Sequence, residues 1–207
     1  NSINIRQAYM TFGDASWGTI KMGSDLGVFG SDAILSDMTL LGVGTGAGGN
    51  GNSTLGRIGS GYLYADWVGQ IQYASPNWNG FSFAAAVREP WGNTDNSDLG
   101  FDAKVSYEWA GDYAGKVWLG GITQKADNGL IGVAHDDERA SAWEVGGKVS
   151  VAGFGLVGYY YDGKGFGGSG VAGVTPLSGL GINGNDQDVD GGYVQGTYTL
   201  PGIGTKL

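Results

Sequence analysis

The chain contains no cysteine and one histidine, His135, among 207 residues. Disulfide frameworks, cysteine-ligated zinc and thiol nucleophiles are thereby excluded, and imidazole chemistry has a single candidate. Charge is sparse: Asp, Glu, Lys and Arg make 15% of the sequence, against about a quarter in an ordinary soluble domain. Long apolar runs are also missing. Nothing approaches the ~18 consecutive apolar residues that a membrane-crossing helix needs, which excludes a helical membrane protein. The few charges are unbalanced, with 20 acids against 11 bases and a net charge of −9. Such a surface repels phosphate backbones, so no nucleic-acid partner is expected. No basic and apolar leader precedes the first strand-like residues, so an exported protein would lack its beginning here.

In place of these features stand 43 glycines and a strong period of two. In residues 99–110, Leu99, Phe101, Ala103, Val105, Tyr107 and Trp109 alternate with Gly100, Asp102, Lys104, Ser106 and Glu108. In residues 141–151, Trp143, Val145, Val149 and Val151 alternate with Glu144, Lys148 and Ser150. Residues 62–74 and 81–88 repeat the pattern. Apolar and polar side chains on alternate positions make strands with one face toward each of two environments. Residues 3–12, 17–24, 116–125, 154–162 and 191–200 carry a weaker, glycine-diluted version, which brings the expected count to about nine strands.

The connections sort by length. Short turns at 13–16, 75–79, 111–114, 152–153 and 201–204 alternate with longer ones at 25–60, 90–98, 126–140 and 163–189. Long loops on one rim and short turns on the other, joining strands of ~9 to 11 residues, are the pattern of an antiparallel transmembrane β-barrel. A closed barrel pairs every backbone group internally and tolerates glycine in its strands. Trp78, Tyr107, Trp109 and Trp143 lie near strand ends, where amphipathic rings suit the headgroup level. The polar face of a wide barrel faces water, so Asp66, Arg88, Asp102, Lys104, Glu108, Glu144 and Lys148 are expected to be solvated lumen charges.

Other motifs carry less. Gly44, Gly46 and Gly49 satisfy G-x-G-x-x-G, but the following residues do not open a helix as a dinucleotide site requires. Asp186, Asp188 and Asp190 resemble a single calcium-binding repeat where stacked copies are needed, and read as an acidic surface loop. His135, Asp136, Asp137 and Glu138 read as solvated loop charge rather than a metal site. No nucleophile elbow accompanies His135. No catalytic residue, metal or cofactor is expected, and the chain does not read as an enzyme.

The segments INIRQAYMTFG, WGTIKMGSD, SDMTLLG, LGRIGSGYLYAD and YASPNWNGFSFAAAV, over the first ninety or so residues, resemble the Gram-negative general outer-membrane porins. The resemblance implies one barrel domain over residues 1–207, incomplete at both ends, with about 16 strands in the whole protein. It also implies that residues 25–60 form a constriction loop folded into the lumen. It places an acid of that loop at Asp37 and a facing wall base at Arg57, with Arg6 adding to the basic wall. Ser24 and Leu41 stand where further charged residues are usual, which implies a weaker transverse field. The implied function is passive diffusion of ions and small hydrophilic solutes by a homotrimer set in outer-membrane lipid and lipopolysaccharide. Acids in the loops (Asp95, Asp98, Asp127, Asp136, Asp137, Glu138, Asp186 and Asp188) imply a mild cation preference. A sugar-specific channel and a secreted glycine-rich adhesive protein are the alternative readings.

Overall fold

The computed structural model describes residues 5–41, 61–91, 99–125, 139–168, 177–178 and 188–206. Nine strands form one antiparallel sheet: β1 (Ala8–Asp14), β2 (Gly18–Leu26), β3 (Trp67–Ala74), β4 (Phe81–Arg88), β5 (Gly100–Trp109), β6 (Ala114–Lys125), β7 (Arg139–Val151), β8 (Phe154–Lys164) and β11 (Asp188–Tyr198). They are joined in sequence order, so every pair is a hairpin neighbour. Two short strands, β9 (Phe166–Gly168) and β10 (Leu177–Ser178), pair with each other between β8 and β11. One helix, α1 (Ser31–Ser36), and a 3₁₀ turn at Met38–Leu41 follow β2. No described helix is long and apolar enough to cross a membrane.

Register turns the period of two into continuous rows. Phe83, Val105, Leu119, Val145 and Tyr160 are successive cross-strand partners from β4 to β8. On the opposite face Ala84, Lys104, Gly120, Glu144, Tyr161 and Gly191 form the matching row. A shift of one residue in any pair would throw apolar side chains onto the charged face, so the pattern itself specifies the register. The first face is apolar and exposed across the whole sheet, including Met10, Phe12, Ile71, Phe101 and Leu156. An apolar face this wide is left open only where another apolar medium covers it.

The outer face is banded. Beside the short turns lie the ring pairs Phe12–Trp17, Trp78–Phe81, Tyr107–Trp109 and Phe154–Tyr198. Toward the other rim lie Phe101 and Trp143. From Phe101 to Trp109 is about 27 Å along the strand, or about 20 Å along a membrane normal at ~40° tilt, close to the hydrocarbon band of a transmembrane barrel.

The sheet curls. A Cβ placed on Gly61 would lie 2.5 Å from the Gly192 carbonyl oxygen of β11, yet Trp67, six residues later, opens β3. Six residues reach at most about 21 Å, whereas the six strand steps from β3 to β11 measure about 29 Å across a flat sheet. The strands therefore form a trough, and residues 61–66 run inside it. This corrects the expectation of one strand over 62–74. Asp66 has φ 55, which ends the extended run and turns the preceding residues off the sheet. Other boundaries move less: β2 continues through Asp25 and Leu26 into the expected loop, and β11 begins at Asp188, so Asp188 and Asp190 belong to a strand.

Glycines on the inner face make room for large partners. A Cβ at Gly146 would lie 2.1 Å from the Trp118 ring, and one at Gly120 2.7 Å from Glu144 Oε1. Gly146→Leu should therefore destabilise the protein by about 1–3 kcal/mol through overpacking, read as a lower thermal midpoint in detergent. Gly158→Ala, where the added Cβ meets nothing within 4 Å, should leave the midpoint unchanged; equal effects of the two would refute the packing account.

Candidate functional site

Residues 27–38 leave β2 and lie across the inner face, and the wall holds them with charges rather than with a strand partner. Gly27 N donates to Asp66 O at 3.0 Å. Val28 N and Phe29 N both donate to Asp102 Oδ2 on β5, each at 3.1 Å. Gly30 N donates to Glu144 Oε2 on β7 at 3.0 Å, and Tyr159 Oη of β8 donates to the same oxygen at 2.8 Å. Gly30 has φ 75, a left-handed turn that brings its N–H to Glu144 and starts α1 without a side-chain cap. An intramolecular hydrogen bond contributes about 0.5–1.5 kcal/mol net, so three of them fix the entry of the segment.

The next anchor is ionic. Asp32, in the first turn of α1, meets Lys104 Nζ of β5 at 2.5 Å and Lys116 Nζ of β6 at 2.7 Å. Lys104 also donates to Ser31 Oγ at 2.7 Å, and Lys116 reaches Glu108 at 3.1 Å. Burial alone would raise the Asp32 carboxyl, but the two ammonium groups outweigh it and hold it below its ordinary value. The far end is held by β11: Tyr193 Oη donates to Ala33 O at 2.7 Å, and Gln195 donates to Ser36 O at 2.9 Å while accepting from Met38 N at 2.7 Å. The segment thus bridges the trough from β2 to β11.

Between segment and wall lies the core: Phe29, Ala33 and Ile34 from the segment, Tyr62, Leu63 and Ala65 from residues 61–66, and Trp118, Ile122, Tyr159 and Tyr161 from the wall. Phe29 meets Trp91 edge-on at 6.3 Å, and the Arg88 guanidinium stacks on the Trp91 ring at 4.3 Å.

Register puts Arg88, Asp102, Lys104, Glu108, Glu144 and Lys148 on this inner face. Their surroundings differ sharply. Arg88, Asp102 and Glu144 are 1%, 4% and 0% exposed, so they are not solvated charges. They are sealed beneath the segment and partnered in part by protein: Arg88 lies 3.6 Å from Asp102 and donates to Gln124 Oε1 at 3.1 Å, while Arg88 Nε, Asp102 Oδ1 and Glu144 Oε1 have no hydrogen-bond partner among the described residues. Lys104 is partly covered, whereas Glu108 and Lys148 are exposed. Asp66 precedes β3, half-buried, and burial raises its carboxyl.

Of the residues assigned to a constriction by resemblance, Asp37 caps the end of α1 and accepts a hydrogen bond from Tyr62 Oη at 2.9 Å. Arg6 is exposed, ahead of β1, and its carbonyl accepts from Ser24 Oγ at 3.1 Å. Arg57 lies outside the described residues, as do Gly44, Gly46, Gly49 and residues 135–138. Sequence reading missed Asp32 and Lys116, and it gave Lys21 the parity opposite to Ser24 without placing it in the lumen. Lys116 was signalled by the apolar Val117 and Leu119 beside it. Lys21 lies on the inner face opposite Gln72 and pairs with Asp25, while Ser24 takes the outer parity. Nothing local marks Asp32. Among the described residues no cluster of acids and histidines is placed to hold a metal ion.

Because the Asp32 carboxyl is held below its ordinary value of 3.8, its stabilisation is complete above that value and lost as pH falls below it. In the full-length protein the Asp32 anchor should therefore hold in mildly acid solution and fail only in strong acid, read as current noise that the Asp32→Asn variant does not gain further below about pH 4. Asp32→Asn should give the noise at neutral pH, at a cost of about 3 kcal/mol, since Lys104 loses its carboxylate while Lys116 keeps Glu108. A quiet Asp32→Asn trace would exclude this anchor.

A curled antiparallel sheet with an apolar outside, aromatic bands and a charged segment folded against its inside is the architecture of a membrane channel wall. No curated protein matches the chain. The family model of the Gram-negative porins matches residues 1–206, nearly the whole length, and the chain belongs to that family of outer-membrane channel proteins.

Proposed function

We propose that the chain forms the wall and constriction loop of a passive diffusion channel for ions and small hydrophilic solutes across the outer membrane, working as a homotrimer in contact with lipid and lipopolysaccharide. The observation that carries this reading is the charged seating of residues 27–38 across the trough. It narrows the passage with a rigid chord and leaves the remaining inner wall to water. Selectivity in such a passage follows from its width and from the charges that line it.

A general passage is favoured over a sugar-specific one by the burial of the aromatic residues. Tyr62, Trp118 and Tyr159 are 2%, 2% and 5% exposed. They pack beneath the segment and offer no stacking track to a passing ring. A saturable, sugar-dependent block of current would reverse that preference.

Asp37 and Arg57 are proposed as a transverse pair at the narrowest level, with Arg6 as a supporting base, and the outer-loop acids as a mild attraction for cations. In planar bilayers under a salt gradient, Asp37→Asn should move the reversal potential toward anion preference. Arg57→Ala should move it toward cation preference and raise conductance. One unit charge about 7 Å from the ion path in water shifts a cation and an anion by about 0.6 kcal/mol in opposite senses, changing a permeability ratio roughly sevenfold before screening. Unchanged potentials in both variants would remove the pair from the constriction, and anion preference in the wild type would overturn the role given to the acidic mouth.

A further inference from the structure

We propose that Lys148 is a selectivity-setting charge of the pore, an exposed ammonium on the short-turn side of the loop that favours anionic solutes carrying carboxylate or phosphate groups. This rests on the channel reading above and adds a residue and a solute class to it.

Position is the first support. Lys148 is four residues beyond Glu144 on β7 and shares its inner face. That spacing puts it about 13 Å past the point where Gly30 is held, toward the turn at Ala152 and Gly153. It is exposed, whereas Arg88, Asp102 and Glu144 are sealed beneath the loop. A buried, compensated charge contributes little to a solute path, and an exposed one acts over about 8 Å at physiological salt.

Chemistry is the second. Lys148 is the direct cross-strand partner of Lys116, and Lys116 in turn of Glu108. Lys116 is compensated on both sides, by Asp32 at 2.7 Å and Glu108 at 3.1 Å. Among the described residues Lys148 makes no ion pair and no side-chain hydrogen bond. Like charges directly opposite in a sheet are unfavourable, and here the second lysine has no structural return. Local rules broken without evident compensation are expected at functional sites. The row Glu108, Lys116 and Lys148 thus holds two ammonium groups and one carboxylate, a positive excess opposite in sign to the acids of the outer loops.

The test is a salt-gradient reversal potential of the full-length channel in planar bilayers. Lys148→Gln should raise the cation-to-anion permeability ratio up to about sevenfold at low salt, Lys148→Glu should raise it further, and Lys148→Arg should match the wild type. The shifts should shrink at high salt as the charge is screened. Because the chain has no cysteine, Lys148→Cys offers a second reading in one folded channel: a sulfonate-bearing thiol reagent should increase cation preference and an ammonium-bearing reagent should restore the original ratio. A conducting wild type whose ratio is the same in Lys148→Glu, and in labelled Lys148→Cys, overturns the proposal alone. A wild type that forms no conducting pore overturns the channel reading beneath it.

Discussion

The seating of residues 27–38 on the wall is the constraint on which the rest of the structure depends. Asp102 and Glu144 are buried carboxylates, and a buried carboxylate is tolerable only when donors replace its water. The donors are the backbone N–H groups of Val28, Phe29 and Gly30. Backbone donors cannot be removed by side-chain substitution, so the dependence is mutual: the segment needs the wall acids for its path, and the acids need the segment for their solvation. Asp32 between Lys104 and Lys116 then fixes where α1 lies.

The same seating explains the distribution of size on the inner face. Glu144 stands beside Gly120, and Trp118 beside Gly146, because a Cβ at either glycine would collide with its neighbour. The glycine content of the strands is therefore a packing requirement as well as a feature that a barrel tolerates. The outer face follows a different rule, with rows of mid-sized apolar residues between aromatic bands and, among the described residues, no partner layer of its own. One sheet serves two media, and the period of two keeps them apart.

Burial separates the wall charges into two groups that sequence parity cannot distinguish. Arg88, Asp102 and Glu144 belong to the anchoring of the loop and the packing around Trp91. Glu108 and Lys148 stand in reach of water. Charges of the first group hold the segment in place, and those of the second are left to water. Asp32, Lys104 and Lys116 lie between these groups, holding the segment while bordering the passage.

Much of the fold was legible because alternation is a local property. The apolar and charged faces of β5 and β7, the nine strands and the sorting of turns by length follow from neighbouring residues alone, and the motifs of the first ninety residues pointed to the porins. The loop anchors were not legible, because they join residues far apart in the chain: Gly30 with Glu144, Asp32 with Lys116, Met38 with Gln195. Asp66 looked like another strand residue until its left-handed backbone turned residues 61–65 into the trough. By itself the sequence determined the face on which each strand charge lies, since parity needs no partner. Whether that charge meets water or a backbone N–H was decided only by the tertiary structure, because solvation depends on what covers the face, and the cover comes from a distant part of the chain.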